Sequence, residues 1–258
     1  MSPAARDSVL FSHDEEVMGT VVSFRVFKYA ISRESLLDAV RTACAVLHSA
    51  DDVFSTWKPA SPISRLRRGE ISMTEAPVEV STVLELCEHA RERSGGWFDP
   101  WAMPGGVDPT GLVKGWAIEL ALDVLSGAGV EAALVNGGGD IAVAGLPEED
   151  DFWSVGIQHP WKREALACVL AVDSAVATSG SYERGAHLVD PRSGSPVEAV
   201  ASATVTGPRL AIADALATAL AVGGDLAWEQ ISGLDGVDAY MIRSDGSEVA
   251  TPGIRFVD

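Results

Sequence analysis

A run of short β-strand candidates between residues 131 and 205, uninterrupted by any helical pattern, limits the fold of this chain more than any other feature. Predicted helices form blocks before and after the run. Strands in runs, separated from blocks of helices, are typical of α+β proteins, whereas α/β proteins alternate the two. The sequence therefore predicts an α+β fold with β-sheets flanked by helices. The strand candidates are Glu131–Val135, Ile141–Ala144, Trp153–Gln158, Cys168–Val172 and Ser202–Val205.

Four helices are predicted where apolar residues recur every three to four positions. They are Ser32–Phe54, with Ser32 as the N-cap, Pro77–Arg93, Gly111–Ser126 and Pro208–Val222. The patterns Val17–Tyr29 and Ala239–Arg243 predict two more strands. A chain of 258 residues fits one large domain or two small ones. We expect residues 1–16 to form a flexible N-terminal extension and residues 17–258 to form a single domain.

The charge balance excludes some classes of partner. The chain has 19 Lys and Arg against 37 Asp and Glu, a net charge of −18. Such a chain repels nucleic acids and anionic membrane surfaces at long range, so we expect neither as a partner. A polyanionic ligand would need local positive groups or a metal ion to neutralise it.

The cysteines, the hydropathy and the N-terminal residues bear on where in the cell the protein is expected to lie. Cys44, Cys87 and Cys168 are far apart and odd in number, so they predict no disulfide framework and no CxxC metal site. Cys44 and Cys87 lie on apolar helical stripes, which favours core packing. No apolar run reaches about 18 residues, so we expect no membrane segment. The N-terminus has no apolar stretch typical of a signal peptide, and we expect a cytoplasmic protein.

A glycine-rich segment over residues 137–142 matches the loose dinucleotide pattern G-x-G-x-x-G/A. That pattern needs a helix directly after it, and here the next residues predict a strand. The segment therefore favours a hairpin-like turn between two strands over a Rossmann site.

A carboxylate and a hydroxyl stand four residues apart in the last predicted helix, at Asp214 and Thr218. Residues with this spacing share one helix face. They offer two hard oxygen ligands suited to Mg²⁺ or Ca²⁺. The alternative is an exposed Asp near a helix N-terminus, which the helix dipole favours.

Two further segments carry polar groups. His187 is followed by two apolar residues and by Asp190-Pro191-x-x-Gly194, a turn signature. A His there can point into a cleft, although a lone His is more often packed or on the surface. Gly111 leads into a helix whose free N–H groups can meet an anion, with Lys114 one turn further on. The alternative is ordinary loop chemistry with Asp108 as a cap.

Taken in order, these segments resemble the ApbE family of Mg²⁺-dependent FAD:protein FMN transferases over about residues 17–243. The matching segments are Met18-Gly19-Thr20, Phe54-Ser55-Thr56-Trp57, Gly96-Trp97-Phe98-Asp99, Asp108 to Lys114-Gly115, Asn136-Gly-Gly-Gly-Asp140, Thr178-Ser179-Gly180, His187 to Pro191 with Gly194, and Asp214 to Thr218. The resemblance implies an ApbE-like (T-fold-like) architecture with a central FAD cleft. Trp57 stands where the family commonly has Tyr.

The resemblance also implies a reaction and a site. FAD is the substrate, FMN is joined to a Thr or Ser of an acceptor protein through a phosphoester, and AMP is released. The residues implied to hold Mg²⁺ are Asp214, Thr218 and the carbonyl of Gly111. His187 and Asp214 are the candidate catalytic residues. His187 is expected to accept the hydroxyl proton or to position a phosphate. The residues implied to bind FAD are Met18, Trp57, Trp97, Phe98, Asp99, Asp108, Lys114 and Leu188.

Two other functions remain open from the sequence. The same metal site could support hydrolysis of FAD to FMN and AMP, with water as the nucleophile. The protein could also bind FAD without turning it over.

Overall fold

Strands and helices in this computed structural model are described over residues 9–147, 152–180, 188–197 and 200–257. The strands are β1 (Phe11–Val17), β2 (Thr20–Tyr29), β3 (Val130–Gly137), β4 (Asp140–Ala144), β5 (Trp153–Gln158), β6 (Leu166–Val172), β7 (Ala175–Ser179), β8 (Val200–Gly207), β9 (Asp238–Arg243) and β10 (Glu248–Ala250). The helices are α1 (Arg33–Phe54), α2 (Pro62–Arg67), α3 (Val78–Arg93), α4 (Thr110–Gly127) and α5 (Leu210–Ile231). A 3₁₀ turn spans Pro100–Ala102.

Within the described residues, eight strands form one sheet in the order β1-β2-β3-β4-β7-β8-β9-β10. Every neighbouring pair is antiparallel. Strands β5 and β6 form a separate antiparallel hairpin. The predicted α+β class, with antiparallel sheets flanked by helices, is confirmed.

The large sheet is covered on both faces. On one face, apolar residues of the sheet pack against α1, α4 and α5 in the main core, and α3 packs against α4 and α5. On the other face, Trp153 and Val155 of β5 and Leu170 of β6 join Phe27 and Leu134 of the sheet in a second core. This arrangement buries the middle strands on both sides, which explains their continuous apolar runs.

Helices α4 and α5 cross at the centre of the main core. A Cβ at Gly115 would lie 2.7 Å from the carbonyl oxygen of Leu210, so glycine is required for this close approach. Glu119 of α4 accepts hydrogen bonds from the N–H of Ala211 and from Arg209 (3.1 and 2.8 Å). A carboxylate at a helix N-terminus satisfies a free N–H and the helix dipole. These contacts fix the first turn of α5 against α4.

Helix α5 is long and apolar enough to cross a membrane, by length and composition, but 78% of its apolar window is buried inside the structure. No other helix in the described part of the chain is both long and apolar enough to cross a membrane. The predicted helix ended at Val222, whereas α5 continues to Ile231 across Gly224, whose φ of 53° and ψ of −131° interrupt the helix. Ala227 and Ile231, which are buried beyond this kink, explain why the segment stays against the core.

The predicted start of α5, Pro208, is two residues early, and the other three predicted helices are confirmed within one residue at each end. Ser32 is the N-cap of α1, and its hydroxyl accepts from the N–H of Ser35 at 3.1 Å. The predicted single strand Val17–Tyr29 is wrong. Met18 and Gly19, with φ of 53° and 69°, form a two-residue turn between β1 and β2. Residues 11–16, predicted to belong to a flexible extension, therefore lie in β1 and pair with β2.

The hairpin-like turn predicted in the glycine-rich segment is confirmed. Gly137 pairs with Asp140, and Gly138 and Gly139 form the turn with φ of 66° and 98°. Both residues need positive φ in this tight hairpin turn, which glycine adopts without steric cost. The side chain of Asn136 accepts from the N–H of Gly139 at 2.9 Å. The turn also brings Asp140 to the start of β4.

Candidate functional site

A cavity of about 640 Å³ opens between the β1–β2 turn, the C-terminal end of α1 and the N-terminal halves of α4 and α5. The segment around Trp97 to Met103 and residues 188–189 complete its wall. This volume lies within the range of roughly 300–1,000 Å³ that is usual for small-molecule sites.

The structure brings the predicted site residues together at this cavity. Every predicted site residue in the described part of the chain lines it. They are Met18, Trp57, Trp97, Phe98, Asp99, Asp108, Gly111, Lys114, Leu188, Asp214 and Thr218. His187 lies outside the described residues, so its role stays a prediction.

Two buried acids lie close together at the inner wall, where Asp214 lines the cavity and Asp140 lies behind it. Asp140 has no exposed surface and Asp214 is only 3% exposed. Burial, followed by the nearby Asp140 carboxylate, raises the pKa of Asp214 well above its usual range. Burial also raises the pKa of Asp140, and the Lys114 ammonium opposes that rise. One lysine therefore faces two buried carboxyl groups, an arrangement that attracts a further cation.

Oxygen donors from three elements converge on this wall. The hydroxyl of Thr218 lies one helical turn from Asp214 and 3.3 Å from the hydroxyl of Ser179 at the end of β7. A Cβ at Gly111 would lie 3.7 Å from the Thr218 hydroxyl, so the first turn of α4 is in contact with it. The N–H of Gly115 donates to Oδ2 of Asp214 at 3.1 Å. In a regular helix the N–H of Gly115 donates to the carbonyl of Gly111. Its hydrogen bond to Asp214 therefore replaces that helical bond or shares the same donor.

These donors fit a hard divalent cation. The set consists of a carboxylate, two hydroxyls and a backbone carbonyl, which are the ligand types that Mg²⁺ and Ca²⁺ prefer. Lys114 balances the charge of only one of the two buried carboxylates, Asp140, so a bound cation would balance the charge of Asp214. The predicted metal residues Gly111, Asp214 and Thr218 therefore lie together and have suitable chemistry.

The charged residues that line the cavity do not make it positive. Among the described lining residues there are two lysines and four aspartates. Lys114 lies 2.7 Å from Oδ2 of Asp140, and Lys58 is paired with Asp51 and Asp52. A ligand that carries several negative charges would therefore meet an acidic wall unless a cation accompanies it.

Two predicted carboxylates at the rim are fixed by their own hydrogen bonds. Asp99 caps the 3₁₀ turn by accepting from the N–H groups of Trp101 and Ala102. Asp108 accepts from the N–H and hydroxyl of Thr110 and pairs with Arg67 at 3.3 Å. The N-cap of α4 is Pro109 and not Asp108, although the Asp108 carboxylate accepts from the N–H of Thr110 in the first turn and the residue lines the cavity.

The two tryptophan side chains of the cavity differ in how exposed their rings are. Trp97 packs against α5, where a Cβ at Gly223 would lie 2.5 Å from the indole. The guanidinium of Arg192 also lies 3.6 Å from the centroid of its ring, in a cation–π contact. Trp57 is 92% exposed at the cavity mouth. Trp57 therefore offers the more accessible stacking surface.

Sequence reasoning missed Asp140 and Ser179 as members of the site. Both belong to motifs already noticed, Asn136-Gly-Gly-Gly-Asp140 and Thr178-Ser179-Gly180. An acid at the first position of an otherwise apolar strand was the available signal for Asp140, because such a residue needs a partner when it is buried. The partner, Lys114, lies 26 positions away in another element, which the sequence pattern does not reveal.

The fold and cavity together define a small-molecule site with oxygen donors on one wall that suit a hard metal ion. Comparison with known proteins agrees with this class. A model of the ApbE family matches residues 18–106 and 101–241. The chain therefore belongs to the ApbE family.

Two named relatives illustrate the similarity in sequence. An FAD:protein FMN transferase from Rhodobacter capsulatus is 36% identical over 159 residues, which cover 58% of this chain and 30% of that protein. One from Salmonella typhimurium is 29% identical over 192 residues, 69% of this chain and 55% of that protein. The chain thus spans about a third to a half of the length of these relatives.

Solved structures share the fold. The ApbE protein from Thermotoga maritima superposes with a TM-score of 0.82 at 19% identity and covers 94% of this chain and 97% of that one. The flavin transferase ApbE from Vibrio cholerae gives a TM-score of 0.79 at 21% identity, with the same coverage.

Proposed function

We propose that this chain is a Mg²⁺-dependent FAD:protein FMN transferase. One observation carries the proposal. The oxygen donors Asp214, Thr218 and Ser179 lie on the inner wall of the same cavity that has Trp57 at its mouth. The chain's family and the printed names of its relatives support the choice of FAD as the substrate.

The proposed reaction is a phosphoryl transfer from FAD. The hydroxyl oxygen of a Thr or Ser on the acceptor protein attacks the phosphorus on the FMN side of the pyrophosphate. The bond from that phosphorus to the bridging oxygen breaks, and AMP leaves with that oxygen. The acceptor then carries FMN through a phosphoester, and the hydroxyl proton passes to a base or to solvent.

Asp214, Thr218 and the carbonyl of Gly111 would hold Mg²⁺, with the Ser179 hydroxyl beside them. The bound ion would neutralise the pyrophosphate and polarise the phosphorus under attack. The chain's own part is to keep the carboxyl group of Asp214 in place through the N–H of Gly115 and to hold Lys114 between Asp140 and the cavity.

The aromatic mouth would bind the flavin ring. Trp57 can stack on it because its indole is exposed, whereas Trp97 is covered by Arg192 and would form a wall. Met18 and Leu188 supply apolar surface at the same cavity. His187 is proposed to accept the hydroxyl proton or to position a phosphate. The location of the acceptor in the cytoplasm stays a prediction.

The test is a transfer assay with an acceptor. Purified protein is incubated with FAD and an FMN-binding domain that carries a flavinylation Thr, with and without Mg²⁺. Flavin fluorescence on a denaturing gel and AMP in solution are then measured. We expect a fluorescent acceptor band and AMP, both dependent on Mg²⁺, and an acceptor with Thr→Ala as the negative control should give no band.

Other outcomes identify the two alternative functions. AMP without an acceptor band, across several acceptors, would favour FAD hydrolysis. FAD that stays bound and intact after Mg²⁺ is added would favour a flavin-binding protein without turnover.

A further inference from the structure

Four potential metal ligands lie together between β1 and α1, outside the cavity. His13 and Glu15 come from β1, and Cys44 and His48 come from α1. The ligand atoms of His13, Glu15 and Cys44 lie within 4.8 Å of one another. Nε2 of His48 lies 2.7 Å from Oε1 of Glu15, and Nε2 of His13 lies 2.9 Å from Oε2.

The local structure explains why these side chains meet. Strand β1 alternates, so His13 and Glu15 point to the same side of the sheet, while Asp14 between them is exposed. Cys44 and His48 are four residues apart in α1 and share one helix face. Because β1 packs against α1, these two pairs face each other.

We propose that His13, Glu15, Cys44 and His48 form a site for a transition-metal ion, with Zn²⁺ as the expected occupant. Two imidazole nitrogens, one thiolate and one carboxylate oxygen are the ligand types that tetrahedral Zn²⁺ sites use. This set differs from the all-oxygen wall of the cavity, because sulfur and imidazole ligands select zinc over magnesium.

The distances suit such a site after a small adjustment. Tetrahedral zinc bonds of 2.0–2.3 Å place neighbouring ligand atoms about 3.3–3.8 Å apart. The atoms of His13, Glu15 and Cys44, now within 4.8 Å of one another, would therefore close by up to about 1.5 Å. The hydrogen-bonded imidazole–carboxylate pairs, now 2.7–2.9 Å apart, would open slightly, and His48, which is outside this group of three, would turn toward the ion. On binding, the metal would replace the protons that the two histidines share with Glu15 and the proton of the Cys44 thiol.

Charge and access also favour a bound cation. A divalent ion with one thiolate and one carboxylate is electrically neutral, so no charge would be left unbalanced beside the core. The side chains of His13 and His48 are 37% and 50% exposed, which leaves a path for the ion. The site would link the edge strand β1 to α1, next to the Met18–Gly19 turn that borders the cavity.

Co²⁺ and Zn²⁺ binding to the full chain test the proposal. Protein stripped with a chelator is titrated with Co²⁺, and the near-ultraviolet band of thiolate-to-cobalt charge transfer is recorded. Zn²⁺ affinity is then measured by competition with a coloured chelator. With excess Mg²⁺ present to compete at the cavity, we expect one ion that gives a thiolate band, and a Zn²⁺-induced rise in the melting temperature.

Matched variants assign the ion to these residues. Cys44→Ser should abolish the thiolate band. Cys44→Ser and His48→Ala, each as a single variant, should weaken Zn²⁺ binding at least about tenfold. Cys168→Ser and Asp214→Asn, which lie outside the site, should keep both the band and the affinity. His48→Ala removes a half-exposed side chain, so it serves as a folded second test if Cys44→Ser is unstable.

Specific results would overturn the proposal. One is the absence of a thiolate band in the wild-type protein. Another is a Zn²⁺ affinity that stays unchanged in Cys44→Ser and His48→Ala. A third is loss of Zn²⁺ binding in Asp214→Asn, which would assign the ion to the cavity instead.

Discussion

Nζ of Lys114 lies 2.7 Å from Oδ2 of Asp140, a carboxylate with no exposed surface. This ion pair connects the first turns of α4 to the glycine turn before β4. Asp214, which belongs to α5, lies beside this ion pair. Three elements that are distant in sequence therefore depend on one lysine for charge balance.

Removing that lysine should destabilise the protein. Lys114→Met leaves two buried carboxyl groups without a cation, and we expect a loss of about 2–3 kcal/mol in the free energy of unfolding, near the low end for a broken buried pair because Lys114 is partly exposed. Urea unfolding with chelator present measures the change. The double variant Lys114→Met with Asp140→Asn should recover part of the loss, and a double variant less stable than the single one would contradict this account.

Asp214→Asn should separate function from stability. The substitution removes the anionic metal ligand, so Mg²⁺-dependent release of AMP from FAD should fall at least about 1,000-fold, equivalent to about 4 kcal/mol. The fold should persist, because the Asn side-chain oxygen can still accept from the N–H of Gly115. Near-wild-type turnover at low Mg²⁺ would remove Asp214 from the metal site.

The same residue predicts how pH affects the metal-free protein. Folding raises the pKa of Asp214, so the unfolded chain releases this proton at lower pH than the folded protein does. The unfolded state then binds fewer protons, and stability falls as pH rises above about 4. Melting temperatures in EDTA, followed from pH 4 to 8, should therefore drop more for wild type than for Asp214→Asn. Parallel curves would contradict the prediction.

Gly115 is predicted to set the position of Asp214 by allowing α4 and α5 to cross closely. In Gly115→Ala, the new Cβ would meet the carbonyl of Leu210 at 2.7 Å. We expect a loss of about 1–3 kcal/mol. Moving Asp214 by about 1 Å should also lower turnover about 100-fold.

Gly127→Ala is the matched control for this prediction. Gly127 lies in the same helix and has open space around it. Alanine there should leave turnover unchanged and should leave stability equal or up to about 1 kcal/mol higher. Equal effects of the two substitutions would show that the helix crossing does not control the site.

Trp57 is predicted to bind the flavin without stabilising the fold, since its side chain is 92% exposed. Trp57→Ala should weaken FAD binding by a few-fold to about tenfold, as expected for one aromatic stack. Trp57→Tyr should restore most of the affinity. Titration of FAD fluorescence measures both. Trp161→Ala, at an exposed position outside the cavity, is the control, and an equal loss there would contradict stacking at Trp57.

The class of the fold could be predicted because periodicity is local. Helix α1 illustrates this, since Ser32 and the apolar stripe lie within one segment. The turn at Met18–Gly19 could not be predicted from the sequence. Met18 has positive φ although it is not a glycine, so the sequence pattern resembles one continuous strand. The short strand β7 escaped prediction for a related reason, because the five residues Ala175–Ser179 give too little alternation to detect.

The site could be predicted in part. The family resemblance implied a central cleft, and the predicted site residues in the described part of the chain line one cavity. The pairing of Lys114 with Asp140, and the cluster of His13, Glu15, Cys44 and His48, depend on contacts between distant elements. The prediction that Cys44 and Cys87 pack in the core is confirmed, but the approach of Cys44 to His13 and Glu15 of β1 could not be predicted from its own helix.

The intact mass of the acceptor protein tests the central claim most directly. The acceptor is incubated with this chain, FAD and Mg²⁺, and its mass and the released AMP are measured together. We predict that the acceptor gains the mass of one FMN less one water, with an equal amount of AMP, and that Asp214→Asn abolishes both. An acceptor of unchanged mass, while FAD is converted to free FMN and AMP, would contradict the transferase.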